Sequence, residues 1–222
     1  MKGTTRRMVC ALVAAGWAWH AASGAAAIVG GDVTGGTSGG VFELLDPPPA
    51  LAGPDAFESP NLVAFDEQQD LVLTTQLSLG TLTLGAGSTV SSHYVAFDPA
   101  VGSTLQGFVD FDEPILAIIG GAGGLDATES LFGLPAVDYS VAAAIGPDEG
   151  PGMMGDEVIV SPVDANRLLL SLGANSPGDQ LRVLTGVAVP EPGSIVPLTL
   201  GALAMAWPRR GRRLRGLCRR RR

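Results

Sequence analysis

The chain has 222 residues, with 22 Asp and Glu against 14 Lys and Arg. Its end segments hold both cysteines and 12 of the 14 basic residues, so residues 28–194 carry two arginines against all 22 acidic residues, a net charge of about −20. This charge disfavours nucleic acid and anionic lipid as partners of that part, and the lack of cysteine excludes a disulfide scaffold or a cysteine-ligated metal site there.

The N-terminal segment 1–27 has the layout of a secretory signal peptide. Three positive charges precede an apolar run from Met8 to about Trp19, and small residues follow with an Ala25-x-Ala27 cleavage site. An apolar run of about 12 residues is shorter than the ~20 that a membrane-spanning helix needs. We therefore predict removal of this segment by signal peptidase.

Residues 28–60 are rich in Gly, Pro and Ala. Glycine loses the most backbone entropy on ordering, and the three successive prolines at 47–49 force an extended path. We predict a flexible segment here, with one strand at 41–45.

From residue 61 onward, short runs of β-branched and aliphatic residues recur between Gly, Pro, Asp and Ser. This pattern is typical of all-β proteins. We predict an antiparallel β-sandwich of about ten strands, jelly-roll-like, over residues 61–189; a closed barrel is the alternative. The predicted strands are 62–65, 70–76, 80–85, 93–97, 104–111, 115–120, 137–144, 156–161, 167–172 and 180–189.

Two of these strands differ in their patterning. Asp110 and Asp112 alternate with Val109 and Phe111, which predicts one solvated and one buried face. Residues 115–119 are apolar at every position, which predicts a central strand.

One segment between the strands predicts a short helical turn. Asp126 and Glu129 have the spacing of a capping box and precede Leu131 and Phe132. The glycine-rich segment 120–124 follows a strand, but no long helix of a βαβ unit is predicted after it. We therefore do not interpret it as a dinucleotide-binding loop.

The C-terminal segment 190–222 joins three features in a fixed order: a Pro190-Glu191-Pro192 box, an apolar run at 195–207, and an arginine-rich tail. The Pro-x-Pro pair cannot enter a helix or a central strand, so it stays extended and accessible. The apolar run, near 20 Å long as a helix, can enter the bilayer as a short transmembrane segment. The arginines would then stay on the cytoplasmic side.

This order of features resembles the PEP-CTERM sorting signal of bacteria that make exopolysaccharide. The resemblance implies that a membrane-embedded exosortase recognises Pro190, Glu191 and Pro192, cuts nearby, and releases or transfers the exported body. The chain between the signal peptide and the Pro190-Glu191-Pro192 box, residues 28–189, is called the body below. Four of its blocks also resemble a recurrent domain of exported PEP-CTERM proteins, whose function is unassigned: NLVAFDEQQDLVLTTQL, GSTVSSHYVAFDP, FDEPILAIIG and SPGDQLRVLTG.

These features predict an exported, non-enzymatic protein of the cell surface or extracellular matrix. Its expected partners are signal peptidase, an exosortase-type membrane enzyme and extracellular polysaccharide or biofilm matrix, and no nucleic acid. The C-terminal segment would hold it at the membrane, transiently or stably. The alternative is a calcium-dependent or carbohydrate-binding adhesion module.

The catalytic motifs are too incomplete to assign a catalytic, cofactor-binding or metal-ligating residue. IVGG at 28–31 matches the start of mature trypsin-like proteases, but a serine protease needs a histidine base and an orienting aspartate in separate parts of the fold. His93, the only histidine after the signal peptide, lies in a strand-like run. One imidazole cannot make a zinc site by itself, so we predict a structural role for it.

The acidic pairs remain as candidates for metal binding or hydrolysis. Calcium favours several carboxylate oxygens, and a glycosidase needs two carboxylates that flank a cleft. No calcium-binding repeat is present, so we predict solvated faces and charges that block strand pairing. The pairs are Asp66-Glu67 with Asp70, Asp110-Asp112-Glu113, Asp148-Glu149 and Asp156-Glu157.

Overall fold

The computed structural model describes residues 27–53, 55–79, 82–139, 156–175 and 177–187. No helix in these ranges is long and apolar enough to cross a membrane. Ala25, the Pro190-Glu191-Pro192 box and the predicted apolar helix at 195–207 lie outside the described residues.

The described residues form an all-β protein with one short helix, which confirms the predicted fold class. The elements in chain order are β1 (Ile28–Gly36), β2 (Phe42–Leu44), β3 (Leu62–Asp66), β4 (Leu71–Val72), β5 (Leu77–Leu79), β6 (Leu82–Leu84), β7 (Thr89–Phe97), β8 (Ser103–Phe111), β9 (Ile115–Gly120), α1 (Ala122–Phe132), β10 (Glu157–Val160), β11 (Arg167–Ala174) and β12 (Asp179–Val187).

These strands form two larger sheets and one hairpin. The first sheet has the order β1-β8-β11-β10 and is antiparallel throughout. The second has the order β2-β3-β7-β12-β9, and β4 pairs with the first residues of β7. Its pairs are antiparallel except for β2 and β3, which run parallel over three residues. The strands β5 and β6 form the hairpin.

The largest core cluster takes side chains from both larger sheets. Val109 and Phe111 of β8 are buried, whereas Asp110 between them is partly exposed and Asp112, directly after the strand, is exposed, which confirms the predicted alternation. Removal of apolar surface from water, at about 25 cal/mol per Å², is the main favourable contribution here. The cluster contains Ile28, Leu62, Ala64, Val95, Phe97, Leu105, Val109, Phe111, Leu168, Leu170, Leu172, Ala174, Leu181 and Val183.

The second sheet is covered on its other face as well. Phe132 of α1 packs with Leu184 of β12, and Tyr139 packs with Phe65 and Tyr94. Eight of the nine residues of β7 are therefore buried. This double burial places the polar side chains of β7 and β12 in the interior.

The prediction of a central strand at 115–119 is wrong. Strand β9 lies at the end of its sheet and, among the described residues, pairs with β12 alone. Its two faces are apolar for another reason. Ile115 and Ile118 contact the main core, whereas Leu116 and Ile119 belong to the cluster of Phe132 on the other face.

The segment 28–60 differs from the flexible segment predicted. Strand β1 pairs with β8 from Ile28 to Gly36, although four of its nine residues are glycine. Close packing accounts for one of these glycines, because a Cβ atom on Gly31 would lie 2.6 Å from the side chain of Phe42. Glycine therefore lets the edge strand approach its neighbours.

The helix also differs from the predicted turn. It begins directly after Gly121, which adopts φ 73°, so Asp126 lies inside the helix, and no side chain caps its start. The glycine-rich segment 120–124 thus does open a helix, of 11 residues. The next described strand, β10, belongs to the other sheet, so β9, α1 and β10 do not form a βαβ unit.

One predicted strand is much shorter in the structure, and another is described only in part. The predicted strand at 70–76 is reduced to β4, and Leu73 after it is buried. The predicted strand at 137–144 retains one isolated bridge between Leu51 and Asp138, and residues 140–144 lie outside the described residues.

Candidate functional site

Three neighbouring strands place one polar side chain each at the end of the main core. Asp66 ends β3, His93 lies opposite it on β7, and Thr185 lies on β12, two residues beyond the partner of His93. The His93 Nδ1 atom is 2.6 Å from Asp66 Oδ1, and its Nε2 atom is 2.9 Å from Thr185 Oγ1. A neutral imidazole satisfies both contacts, with Nδ1–H donating to the carboxylate and the hydroxyl donating to Nε2.

This chain of groups has the order of an Asp-His-Ser triad, with threonine at the position of the nucleophile. Both His93 and Thr185 are 0 % exposed, and the imidazole packs 4.9 Å from the ring of Phe111. A nucleophile needs room for its substrate and for donors to the developing oxyanion. Enclosure of both groups supports a structural role for the Asp66–His93–Thr185 chain.

Substitution of Thr185 by valine tests this role. Valine keeps the branched shape but removes the hydroxyl, so the buried Nε2 atom of His93 loses its partner. We expect the free energy of unfolding to fall by about 1–3 kcal/mol, measured by urea titration followed by circular dichroism. Thr34→Val, at an exposed position of β1, is the matched control and should change little. Covalent labelling of Thr185 by a fluorophosphonate would contradict the structural role.

The carboxylate of Asp66 also contacts the start of β1. The backbone nitrogen of Ile28 donates to Asp66 Oδ1 at 3.1 Å, and that of Ala27 donates to Asp112 Oδ1 at 2.7 Å. Burial raises the pKa of the nearby Glu113, and the negative charge of Asp112 raises it further. The start of β1 therefore lies in a region of concentrated negative charge.

A buried ion pair lies on the opposite face of the second sheet. The Arg182 Nε and Nη2 atoms donate to the two carboxylate oxygens of Glu67 at 2.6 and 2.8 Å. The Arg182 Nη1 atom donates to Thr128 Oγ1 at 2.8 Å and to the carbonyl of Leu125 at 3.2 Å. Because Thr128 and Leu125 belong to α1, the pair connects the helix to β12.

The only two tyrosines of the chain complete this buried network. The Tyr139 hydroxyl lies beside Glu67 and accepts a hydrogen bond from the Leu134 nitrogen at 2.9 Å. The Tyr94 hydroxyl donates to Gln180 Oε1 at 2.8 Å. Burial raises the pKa of both tyrosines, and the charge of Glu67 adds to that effect.

Burial works against the charged form of Arg182 as well. Burial alone would lower the pKa of Arg182, but the hydrogen bonds and negative charge of Glu67 outweigh this effect, so the pKa of Arg182 is raised. The guanidinium therefore stays charged throughout the accessible pH range while it is held against the Glu67 carboxyl group in the interior.

A surface groove of about 480 Å³ runs beside α1. Asp126 and Glu129 line it from the helix, whereas Leu134, Pro135 and Val137 line it from the segment that follows. Its two carboxylates come from one wall, and a glycosidase needs two that face each other across the bond to be cleaved. The groove does not supply that arrangement.

The predicted acidic groups are rearranged in the structure, because Asp66 and Asp112 both contact the start of β1 whereas Glu67 is buried on the opposite face of the sheet. Asp110 pairs with Arg167, and Asp156 accepts a hydrogen bond from the Gly173 nitrogen. Within the described ranges, no group of three or more His, Cys, Asp or Glu side chains could hold a metal ion. Asp148 and Glu149 lie outside those ranges.

Glu67 is the residue that differs most from its predicted setting. The local sequence pattern predicts a solvated carboxylate, but the side chain of Glu67 is 0 % exposed. The FDEQQ and SSHY segments meet at this point, since Gln69 Nε2 donates to the Ser92 carbonyl and the Ser92 nitrogen donates to the Gln68 carbonyl. No protein-family model, curated protein or solved structure matches the chain.

Proposed function

We propose that the chain is an exported, non-enzymatic protein of the cell surface or extracellular matrix, sorted by an exosortase-type system and associated with extracellular polysaccharide. The observation that carries the proposal is the order of the Pro190-Glu191-Pro192 box, the apolar run at 195–207 and the arginine tail. This order suits a segment that stops in the membrane with its box outside and its arginines inside. The signal-peptide pattern of residues 1–27 supports export by an independent feature.

The described part of the chain is compatible with this function. Its histidine is enclosed between Asp66 and Thr185, and its most strongly perturbed ionisable groups lie in the interior, where they connect structural elements. The high negative charge of the body favours an aqueous, cation-rich surrounding and disfavours adsorption to nucleic acid or anionic lipid.

We also propose that the two larger sheets form an antiparallel β-sandwich. The main core cluster supports this arrangement, because it combines side chains from β8 and β11 with side chains from β3, β7 and β12. The strand pairs are antiparallel apart from the short β2–β3 pair. The jelly-roll-like connectivity stays a prediction.

The intact mass of the protein recovered from its producing cells tests the proposed function. We expect a mass that lacks both the segment before Ile28 and the arginine tail, because each end would have been removed by its own membrane enzyme. Glu191→Ala should leave the tail attached in most molecules and shift the protein to the membrane fraction.

A control variant separates loss of recognition from loss of folding. Glu157→Ala changes an exposed carboxylate on β10 and should leave processing unchanged. Retention of the arginine tail by the unaltered protein, in cells that contain an exosortase, would contradict the proposal.

A further inference from the structure

The first residue of β1 is held by a carboxylate at its backbone nitrogen. Ile28 is 5 % exposed, and its nitrogen lies 3.1 Å from Asp66 Oδ1. The same carboxylate oxygen accepts a hydrogen bond from His93 Nδ1 at 2.6 Å, and His93 is fixed in turn by Thr185. The carboxylate therefore has a defined position in front of the Ile28 nitrogen.

The cleavage pattern of the signal peptide coincides with this contact. The Ala25-x-Ala27 motif places the bond to be cut between Ala27 and Ile28. Hydrolysis adds the hydroxyl of one water molecule to the Ala27 carbonyl carbon and its remaining proton to the Ile28 nitrogen. The new α-amine has a pKa of about 8, so at neutral pH it binds a further proton from solvent and becomes an ammonium group.

We propose that this ammonium group at Ile28 forms a salt bridge with Asp66, so that removal of the signal peptide replaces a neutral hydrogen bond at this nitrogen by a charged one, while the hydrogen bonds between Ala27 and Asp112 are lost. The inference rests on the proposed export. Before cleavage the nitrogen is a neutral amide donor. Afterwards it carries a charge, and charge-assisted hydrogen bonds are roughly twice as strong as neutral ones.

The charges of the body support a cation at this point. Residues 28–187 hold two arginines and no lysine. Arg167 pairs with Asp110, and Arg182 pairs with Glu67, so each arginine already has its own carboxylate partner. Burial raises the pKa of Glu113, and the negative charges of Asp112 and Asp70 raise it further, so carboxylates lie close together in the same region. The ammonium group would offset part of their negative charge.

A precursor that can be cut on demand tests the proposal. The recognition sequence of a site-specific protease, placed directly before Ile28 in the full chain, lets cleavage leave Ile28 as the first residue. We expect the thermal midpoint of the same sample to rise by about 5 °C after cleavage. The rise should disappear in Asp66→Asn and persist in Asp32→Asn, which alters an exposed carboxylate on β1 itself.

A chemical measurement makes the test independent of whether Asp66→Asn folds. The only lysine of the chain, Lys2, leaves with the signal peptide, so amine-specific acetylation of the cleaved protein modifies the Ile28 nitrogen alone. Acetylation should reverse the rise in thermal midpoint. An unchanged midpoint after cleavage, or a rise that survives acetylation, would overturn the proposal.

N-terminal sequencing of the protein from its producing cells separates this inference from the proposed function. A sequence that starts IVGGD supports the inference. A start at another residue overturns the inference and leaves export intact, whereas an uncleaved precursor overturns export itself.

Discussion

Replacement of Arg182 by methionine should lower the free energy of unfolding by about 3–5 kcal/mol, because it leaves the Glu67 carboxylate buried without its counter-charge. The side chains of the pair are 1 % and 0 % exposed, so water cannot replace the lost partner. The helix would also lose its contacts through Thr128 and Leu125. Urea titration followed by circular dichroism measures the change.

The chain contains a matched control for this substitution. Arg167 Nε and Nη2 donate to Asp110 at 2.6 and 2.8 Å, the same distances as in the buried pair, but these side chains are 36 % and 26 % exposed. Surface pairs contribute little because solvent screens them. Arg167→Met should therefore have a small effect, and an equal loss in both variants would contradict the role of burial.

A double variant distinguishes the unpaired charge from the loss of packing. Glu67→Leu combined with Arg182→Met replaces both charges by apolar groups, and such replacements of buried pairs are often neutral or stabilising. We expect the double variant to regain most of the stability that Arg182→Met loses. A double variant as unstable as the single one would indicate that the lost helix contacts dominate.

The second large effect is expected in alkali, where the protein should unfold cooperatively above pH 10. Burial raises the pKa of Tyr94 and Tyr139, with Glu67 adding to the shift. A phenol with a raised folded pKa stays protonated in the folded state but ionises near pH 10 in the unfolded chain. Its contribution to stability is therefore fully present below pH 10 and is lost as pH rises beyond it.

The size of this loss follows from proton linkage. Each tyrosine reduces the free energy of unfolding by about 1.4 kcal/mol per pH unit above its unfolded pKa. Two tyrosines together remove about 5 kcal/mol between pH 10 and pH 12, comparable to the whole stability of a typical domain. Residues 28–187 contain no lysine or cysteine, so no other side chain of the body titrates in this window.

Absorbance at 295 nm measures tyrosinate directly and provides the test. We expect it to rise in one step together with the loss of the circular dichroism signal. Tyr139→Phe should halve the absorbance change and weaken the dependence of stability on pH. Gradual ionisation of both tyrosines in a protein that stays folded would contradict their burial.

Local sequence pattern was sufficient for the fold class and for much of the strand content. The alternation of Val109 and Phe111 with aspartates gave the correct faces of β8, because side-chain direction in a strand depends only on position. The length and apolar character of residues 115–119 could not show whether this strand lies at the centre or at the edge of its sheet. An edge strand covered by a helix and a central strand have the same composition, and only the pairing distinguishes them.

The Asp66–His93–Thr185 chain left a partial signal in the sequence. Asp66 continues the alternating apolar positions Leu62 and Ala64, and Thr185 continues Leu181 and Val183. Each polar residue thus occupies the next position on a buried face. The order β3-β7-β12, which makes these positions neighbours, comes from contacts distant in the chain and could not be predicted from the alternation.

The sequence by itself determined the all-β class, the segregation of basic residues to the two ends, and a segment from residue 28 to the Pro190-Glu191-Pro192 box with two arginines and 21 acidic residues before that box. Only the tertiary structure decided which acids are buried. Glu67 and Asp112 each follow a strand, yet Glu67 is enclosed and Asp112 is exposed. The difference arises because Arg182, which lies 115 residues away in the sequence, donates hydrogen bonds to Glu67 beneath α1. A carboxylate can be buried only where a partner compensates its lost hydration, and that partner is chosen by the fold.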